Sequence, residues 1–219
     1  MERIFLCGYN LSKVVDKAIL WKEKQKDKKY NLYRTEYYWD KWINGILISM
    51  CFAASFYYFG VYKAIFTSLI TLLAVFGARL DEKIRIIPNE LVLFILILGL
   101  VSQIFKTGIK GIASGFLAVI VTGGIFFLSA FITRFLSGSI GVGAGDIKLV
   151  MALSMIMGID NIFIFLIGIV LFLLLYIIIG FSTRTLVVGS AFPMCTQIMG
   201  GAMLALYYPI ILELIEILS

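Results

Sequence analysis

The sequence has no histidine, three cysteines and few charges: Asp, Glu, Lys and Arg make up 15% of its 219 residues. Without histidine, a Ser-His-Asp triad and a histidine-ligated metal site are both excluded. The cysteines, Cys7, Cys51 and Cys195, form no CxxC pair, so we expect neither a thiolate zinc site nor a disulfide framework. Acid–base chemistry in this chain therefore depends mainly on carboxylates.

Apolar residues dominate the chain, which is 61% hydrophobic with a mean hydropathy of +1.01, whereas soluble domains have about 25% charged residues. Charged or polar breaks separate seven apolar segments, some of them shorter than the roughly 20 residues of an isolated transmembrane helix. The sequence therefore predicts an all-α polytopic membrane protein with about six to seven transmembrane helices. The segments are 42–62, 64–78, 91–105, 112–133, 147–159, 161–183 and 186–212.

The first 41 residues differ from the rest, because they hold 10 of the 19 basic residues together with 6 acidic ones. The lysine-rich run at 22–29 either binds anionic lipid headgroups or forms a solvated linker, and we favour the linker. We divide the chain into a short basic cytosolic segment, 1–41, and a transmembrane domain, 42–219. Apolar side chains at helical spacing predict an amphipathic helix in the first segment: Leu11, Val14, Val15, Ala18 and Ile19.

The distribution of Lys and Arg predicts the orientation, since cytoplasmic loops carry an excess of both. With the N-terminus in the cytosol, 16 basic residues lie inside and 3 outside. We therefore expect a multi-pass protein of the cytoplasmic (inner) membrane whose C-terminus lies outside. This orientation places Asp81 and Asp146 on the same, cytosolic, side.

Asp81 and Asp146 each lie at the cytosolic end of a short apolar segment. As helices, the stretches Lys63 to Asp81 and Asp146 to Asp160 would be about 27 Å and 21 Å long, against a hydrocarbon core of about 30 Å. Both carboxylates would then lie at or just inside the inner boundary, where such residues usually line a polar cavity. Two carboxyls in one partly dry site share a proton, because repulsion and desolvation oppose double ionisation. One can then activate water while the other polarises a peptide carbonyl, as in aspartic proteases.

Glycines precede Asp146 in the stretch SGSIGVGAGDIKL, residues 137–149. Gly141, Gly143 and Gly145 remove side-chain bulk and permit positive φ, so a substrate backbone could approach the carboxyl closely. Two alternatives stay open. One is a flexible loop that ends in an Asp helix cap, and the other is a phosphate loop, although the GK[ST] ending is missing.

The stretch ARLDEKIRIIPNEL, residues 78–91, surrounds Asp81. Asn89 is expected to cap a helix that starts beside Pro88, with the acidic Glu90 in its first turn. The other charged residues of the stretch are interpreted as membrane-interface anchors rather than catalytic groups: Arg79, Glu82, Lys83 and Arg85.

Two of these motifs together resemble those of the type IV prepilin peptidase family. They are LDEKIRIIPNEL, an aspartate followed shortly by Ile-Pro-Asn, and GAGDIKL, a GxGD motif followed by lysine. The resemblance covers roughly 42–208 and implies a membrane aspartic protease with Asp81 and Asp146 as its catalytic pair. It also implies that Gly143 and Gly145 shape the substrate loop. The paired CxxC motifs of bifunctional members are missing, so the chain resembles a peptidase-only form without the methyltransferase domain.

The resemblance implies a specific substrate class as well. It predicts cleavage of the basic leader from prepilin or pseudopilin precursors, in a type IV pilus or protein secretion system, in contact with membrane lipids. We expect no metal, no other cofactor and no nucleic-acid partner, and the oligomeric state is open. Two other functions stay open: a small transporter that couples protons through intramembrane aspartates, and a non-catalytic membrane assembly protein.

Overall fold

The computed structural model describes residues 2–26, 38–137, 143–184 and 193–218. Within these ranges every regular element is an α-helix, as predicted, and the chain divides into two compact units, Met1–Ile86 and Ile87–Ser219. The predicted functional division at residue 41 is not tested by this grouping and stays a prediction. The helices are α1 (Glu2–Tyr9), α2 (Leu11–Lys26), α3 (Tyr38–Tyr58), α4 (Val61–Ile84), α5 (Asn89–Thr107), α6 (Ile109–Ser137), α7 (Ala144–Ser182) and α8 (Cys195–Leu218).

Five of the described helices, α4 to α8, are long and apolar enough to cross a membrane. The prediction of an all-α polytopic membrane protein is therefore confirmed. The predicted number of spans is larger for two reasons. First, α3 is 21 residues long but is not one of these five helices, and its first turns carry Asp40, Lys41 and Asn44. Second, the predicted segments 147–159 and 161–183 are the two halves of α7, which is broken at Gly158.

In the first unit, α1 packs closely against α3 where two glycines meet. A Cβ atom added to Gly8 would lie 2.9 Å from both the Asn44 carbonyl oxygen and the Gly45 Cα atom. The ring of Phe5 covers Gly45 and also contacts Trp42, with 5.5 Å between ring centroids. This N-terminal helix is thus an integral part of the first unit.

In the second unit, α5 and the first half of α7 run parallel. At one end the Lys148 ammonium donates a long hydrogen bond to Asn89 Oδ1, at 3.4 Å. At the other end Gln103 Nε2 donates to the carbonyls of Met155 and Ile156, at 3.1 and 3.0 Å. The start of α7, where Asp146 lies, is therefore at the same end of this unit as the start of α5.

The start of α5 differs from the expectation for Asn89. The N-cap position is occupied by Pro88, without a side-chain cap hydrogen bond, and Asn89 is the first helical residue. Its side chain points to Lys148, so the predicted capping role is wrong. Pro88 already has the extended backbone of an N-cap residue, with φ −65° and ψ 136°, which moves the start of the helix to Asn89. Glu90 does lie in the first turn, where the acid suits the helix dipole.

The break in α7 exposes backbone groups that neighbouring helices satisfy. Gly158 has φ 65° and ψ 179°, a conformation that is almost restricted to glycine. The Ile159 N–H donates to Ser114 Oγ of α6 at 2.9 Å, and Gln103 of α5 caps the carbonyls just before the break. In the apolar core of a membrane protein such caps are needed, since no water is present to replace them.

Replacing Gly158 by alanine should destabilise the protein. A Cβ atom there would lie 2.9 Å from Gln103 Nε2 and 3.0 Å from Ser114 Oγ, at a positive φ. We expect a loss of roughly 1–3 kcal/mol in the free energy of unfolding from the backbone conformation alone, measured by thermal unfolding in detergent. The matched control is Gly124→Ala in α6, where an added Cβ meets no atom within 4 Å. Equal stability of the two variants would contradict the proposed requirement for glycine at 158.

Candidate active site

Asp81 lies in the last turn of α4. The helix expected between Lys63 and Asp81 continues through the charged residues that follow the apolar segment 64–78 and ends at Ile84. Arg85 ends it in the left-handed conformation, with φ 52° and ψ 40°, and its N–H donates to the Asp81 carbonyl at 2.8 Å. Asp81 itself is only 6% exposed. The carboxylate is therefore carried by an ordered, buried helical turn.

Arg79, two residues before Asp81, is fixed by side chains of α3. Its Nε and Nη2 atoms donate to Asn44 Oδ1 at 2.9 and 2.8 Å. Its Nη1 atom lies 3.3 Å from Asp40 Oδ1 and 3.1 Å from Glu82 Oε2. The planar guanidinium is thus held on several sides, which is the geometry that makes arginine a good positioning group.

Lys83, two residues after Asp81, is held by α2. Its ammonium donates to Asp16 Oδ1 at 2.8 Å. Next to this ion pair, a small apolar cluster joins the same two helices: Val15 and Ile19 of α2 with Leu80 and Ile84 of α4. The charges at 79 and 83 thus hold helices together. Their interpretation as membrane-interface anchors is not tested by these contacts and stays a prediction.

Asp146 lies in the first turn of α7 and is partly buried. Its backbone N–H and that of Ile147 both donate to the Gly143 carbonyl, at 3.0 and 3.2 Å. The N-cap position is Gly143, with φ −68° and ψ 143°. This backbone conformation is open to any residue, so the expected need for positive φ does not apply at 143.

Gly143 has a different role, which is to leave room for the Asp146 carboxylate. A Cβ atom at 143 would lie 2.8 Å from Asp146 Oδ2. At Gly145, an added Cβ would meet Ile87 at an ordinary distance of 3.5 Å. An added Cβ is therefore less tolerated at 143 than at 145, and Gly141 lies outside the described residues. The predicted approach of a substrate backbone to the carboxyl stays a prediction.

One of the two sequence-predicted aspartates lies at the C-terminal end of a helix, and the other lies at the N-terminal end of a helix. Asp81 is near the C-terminus of α4 in the first unit, and Asp146 is at the N-terminus of α7 in the second. Sequence reasoning missed the three residues that hold the Asp81 turn, namely Asp16, Asp40 and Asn44. The only sequence signal for them is that each is a polar residue close to apolar helical positions, which is too common a pattern to single them out.

The fold and the placement of these aspartates define an all-α membrane protein that carries carboxylates at helix ends. A family model described as the type IV leader peptidase family matches residues 64–182, more than half of the chain. This range includes Asp81, Gly143, Gly145 and Asp146, whereas α1, α2 and α3 precede it. The chain belongs to the type IV leader peptidase family, and is thus a multi-pass membrane peptidase. Neither the curated proteins nor the solved structures gave a significant match.

Proposed function

We propose that this protein is an aspartic endopeptidase of the GxGD class that removes the basic leader from prepilin-like precursors at the cytosolic membrane boundary. The observation that carries the proposal is the position of both motif aspartates inside the range that matches the leader peptidase family. Their chemistry supports it, because a carboxylate pair is the acid–base apparatus that remains in a chain without histidine.

The proposed mechanism needs one proton shared between Asp81 and Asp146. The ionised carboxylate takes a proton from water, whose oxygen attacks the carbonyl carbon of the scissile peptide bond. The protonated carboxyl donates a hydrogen bond to the carbonyl oxygen as it becomes an oxyanion. When the tetrahedral intermediate collapses, the C–N bond breaks and the leaving amine takes up a proton from the dyad.

The substrate that suits such a site has a basic cytosolic leader followed directly by an apolar helix. A helical backbone is fully hydrogen-bonded, so the bond to be cut must lie in a locally unwound segment. A small, helix-weakening residue before the cut favours unwinding, and the family resemblance suggests glycine. The lack of side chains at Gly143 and Gly145 would reduce the bulk that such an extended segment meets.

Co-expression with pilin-type precursors tests the proposal. A precursor with a basic leader and an apolar helix should be shortened, as seen by a mobility shift and by intact mass. The same precursor with Gly→Val before the cut should stay uncleaved, because the β-branched side chain would meet the glycine loop. Unchanged mass for every precursor offered, or equal cleavage of the valine form, would refute this function.

The orientation of the protein gives a separate prediction. From the excess of basic residues on one side, we expect a cytosolic N-terminus and an outer C-terminus. In a variant without its native cysteines, a single thiol introduced at residue 219 should react with a membrane-impermeant maleimide in intact cells. Labelling that occurs only after lysis would place the C-terminus in the cytosol and contradict the predicted position of the C-terminus.

A further inference from the structure

The turn that carries Asp81 is held by residues outside the range that matches the peptidase family. That range begins at residue 64, whereas Asp16, Asp40 and Asn44 lie in α2 and α3. The contacts fall into two groups. In the first group, called the α3 clamp, Asp40 and Asn44 bind Arg79. In the second group, called the α2 clamp, Asp16 binds Lys83, next to the apolar cluster of Val15 and Ile19 with Leu80 and Ile84.

We propose that α2 and α3 are a positioning device for Asp81, in which Asn44 and Asp16 act through Arg79 and Lys83 to fix the catalytic turn. Because it names positioning residues for the peptidase reaction, this inference rests on the proposed function. It assigns to the N-terminal helices of this chain a direct influence on the catalytic rate.

The geometry of the clamps supports this role over simple helix packing. Arg79 and Lys83 flank Asp81 symmetrically, two residues before and two residues after it. Their partners come from different helices, α3 and α2, so the turn is held from two directions. Two apolar residues of the same helix end, Leu80 and Ile84, are 1% and 3% exposed and pack on α2. A turn fixed in this way has little freedom to rotate its aspartate.

The two clamps differ in strength. The α3 clamp is enclosed, since the side chains of Arg79 and Asp40 are 13% and 9% exposed. The α2 clamp is more open, because the Asp16 side chain is 59% exposed although that of Lys83 is 9% exposed. Exposed charge pairs contribute little to stability, whereas removal of one partner of a buried charge is strongly destabilising. We therefore expect loss of Asn44 to have the larger effect.

Kinetics of the full-length protein with a pilin-type substrate provide the first test. Asn44→Ala removes the acceptor for two guanidinium bonds, and we expect kcat to fall about tenfold with KM unchanged, because a misplaced catalytic group slows the chemical step. Asn44→Asp should restore most of the rate, since it keeps the Oδ1 acceptor. The amide nitrogen that it replaces has no hydrogen-bond partner among the described residues.

Charge reversal tests the α2 clamp. Asp16→Lys should lower kcat a few-fold, and the double variant Asp16→Lys with Lys83→Asp should recover it, because the pair is restored with its signs exchanged. The matched control is Lys17→Gln, which neutralises an exposed neighbour on α2 and should leave kcat unchanged. The exchange of charges between residues 16 and 83 tests the proposal even if Asn44→Ala fails to fold.

A readout without catalysis separates this inference from the proposed function. In a background without native cysteines, Asp81→Cys provides a thiol on the clamped turn. Its labelling rate with a maleimide should rise several-fold when Asn44→Ala or Asp16→Lys is added, and not with Lys17→Gln. Unchanged labelling together with unchanged kcat would overturn the positioning role. If the wild-type chain cleaves no pilin-type precursor, the proposed function fails, whereas the labelling rates still decide whether the clamps hold the turn.

Discussion

Asp81→Asn and Asp146→Asn should each abolish cleavage while the protein stays in the membrane. Asparagine has nearly the same shape as aspartate but can neither accept the proton of the attacking water nor hold the shared proton. The expected loss of kcat is at least about 1,000-fold, in the range that general acid–base catalysis contributes. Cleavage would be measured with a purified precursor and equal amounts of each variant in detergent or in vesicles.

The matched control for the dyad is Asp160→Asn, which changes an exposed aspartate on the same helix as Asp146. It should keep the wild-type rate. If Asp81→Asn or Asp146→Asn retains near-normal turnover, that residue is structural and the dyad is refuted. A loss in all three variants would point to charge-dependent folding rather than to catalysis.

Gly143→Ala should reduce cleavage strongly without a comparable loss of stability. The added methyl group would lie 2.8 Å from Asp146 Oδ2, so the carboxylate must turn away. The flexible end of one side chain can move at little cost to folding, but this end is the proposed reacting group. A displacement of about 1 Å is enough to slow a reaction by about 100-fold. Activity and melting temperature measured on the same preparation would show the difference.

Two other glycines serve as comparisons for this variant. Gly124→Ala, where an added Cβ meets no atom within 4 Å, should match the wild type in both measurements. Gly145→Ala should lose far less activity than Gly143→Ala, because its methyl group meets Ile87 at an ordinary contact distance. If Gly143→Ala is as active as Gly124→Ala, the carboxylate does not react from the position described.

The helices of this protein could be predicted because a membrane makes each span long and apolar, and both features are local. The aspartates could be predicted because they follow recognisable motifs in a chain with few charges. The exact end of α4 could not be predicted in this way. Charged residues usually mark the end of a span, yet Arg79 and Lys83 continue the helix because partners from α2 and α3, far away in sequence, accept their charges.

The break in α7 shows a similar limit. The sequence suggested a division at Asp160, since a charge interrupts the apolar run there. The division is at Gly158, because only glycine adopts the required φ readily and because Gln103 and Ser114 supply the missing hydrogen bonds. The role of Gly143 could not be predicted either, because it depends on the orientation of the Asp146 side chain rather than on the backbone conformation of Gly143.

The break at Gly158 also has a consequence for how the chain enters the membrane during synthesis. The part of α7 before the break, Ala144–Met157, is about 21 Å long as a helix, shorter than a hydrocarbon core of about 30 Å. On its own, such a short helix would gain little free energy by moving from the insertion machinery into the bilayer. Its caps come from α5 and α6, which are synthesised earlier and are already available when it emerges. The order of the helices along the chain thus lets the segment that carries Asp146 enter the bilayer against partners that are already in place.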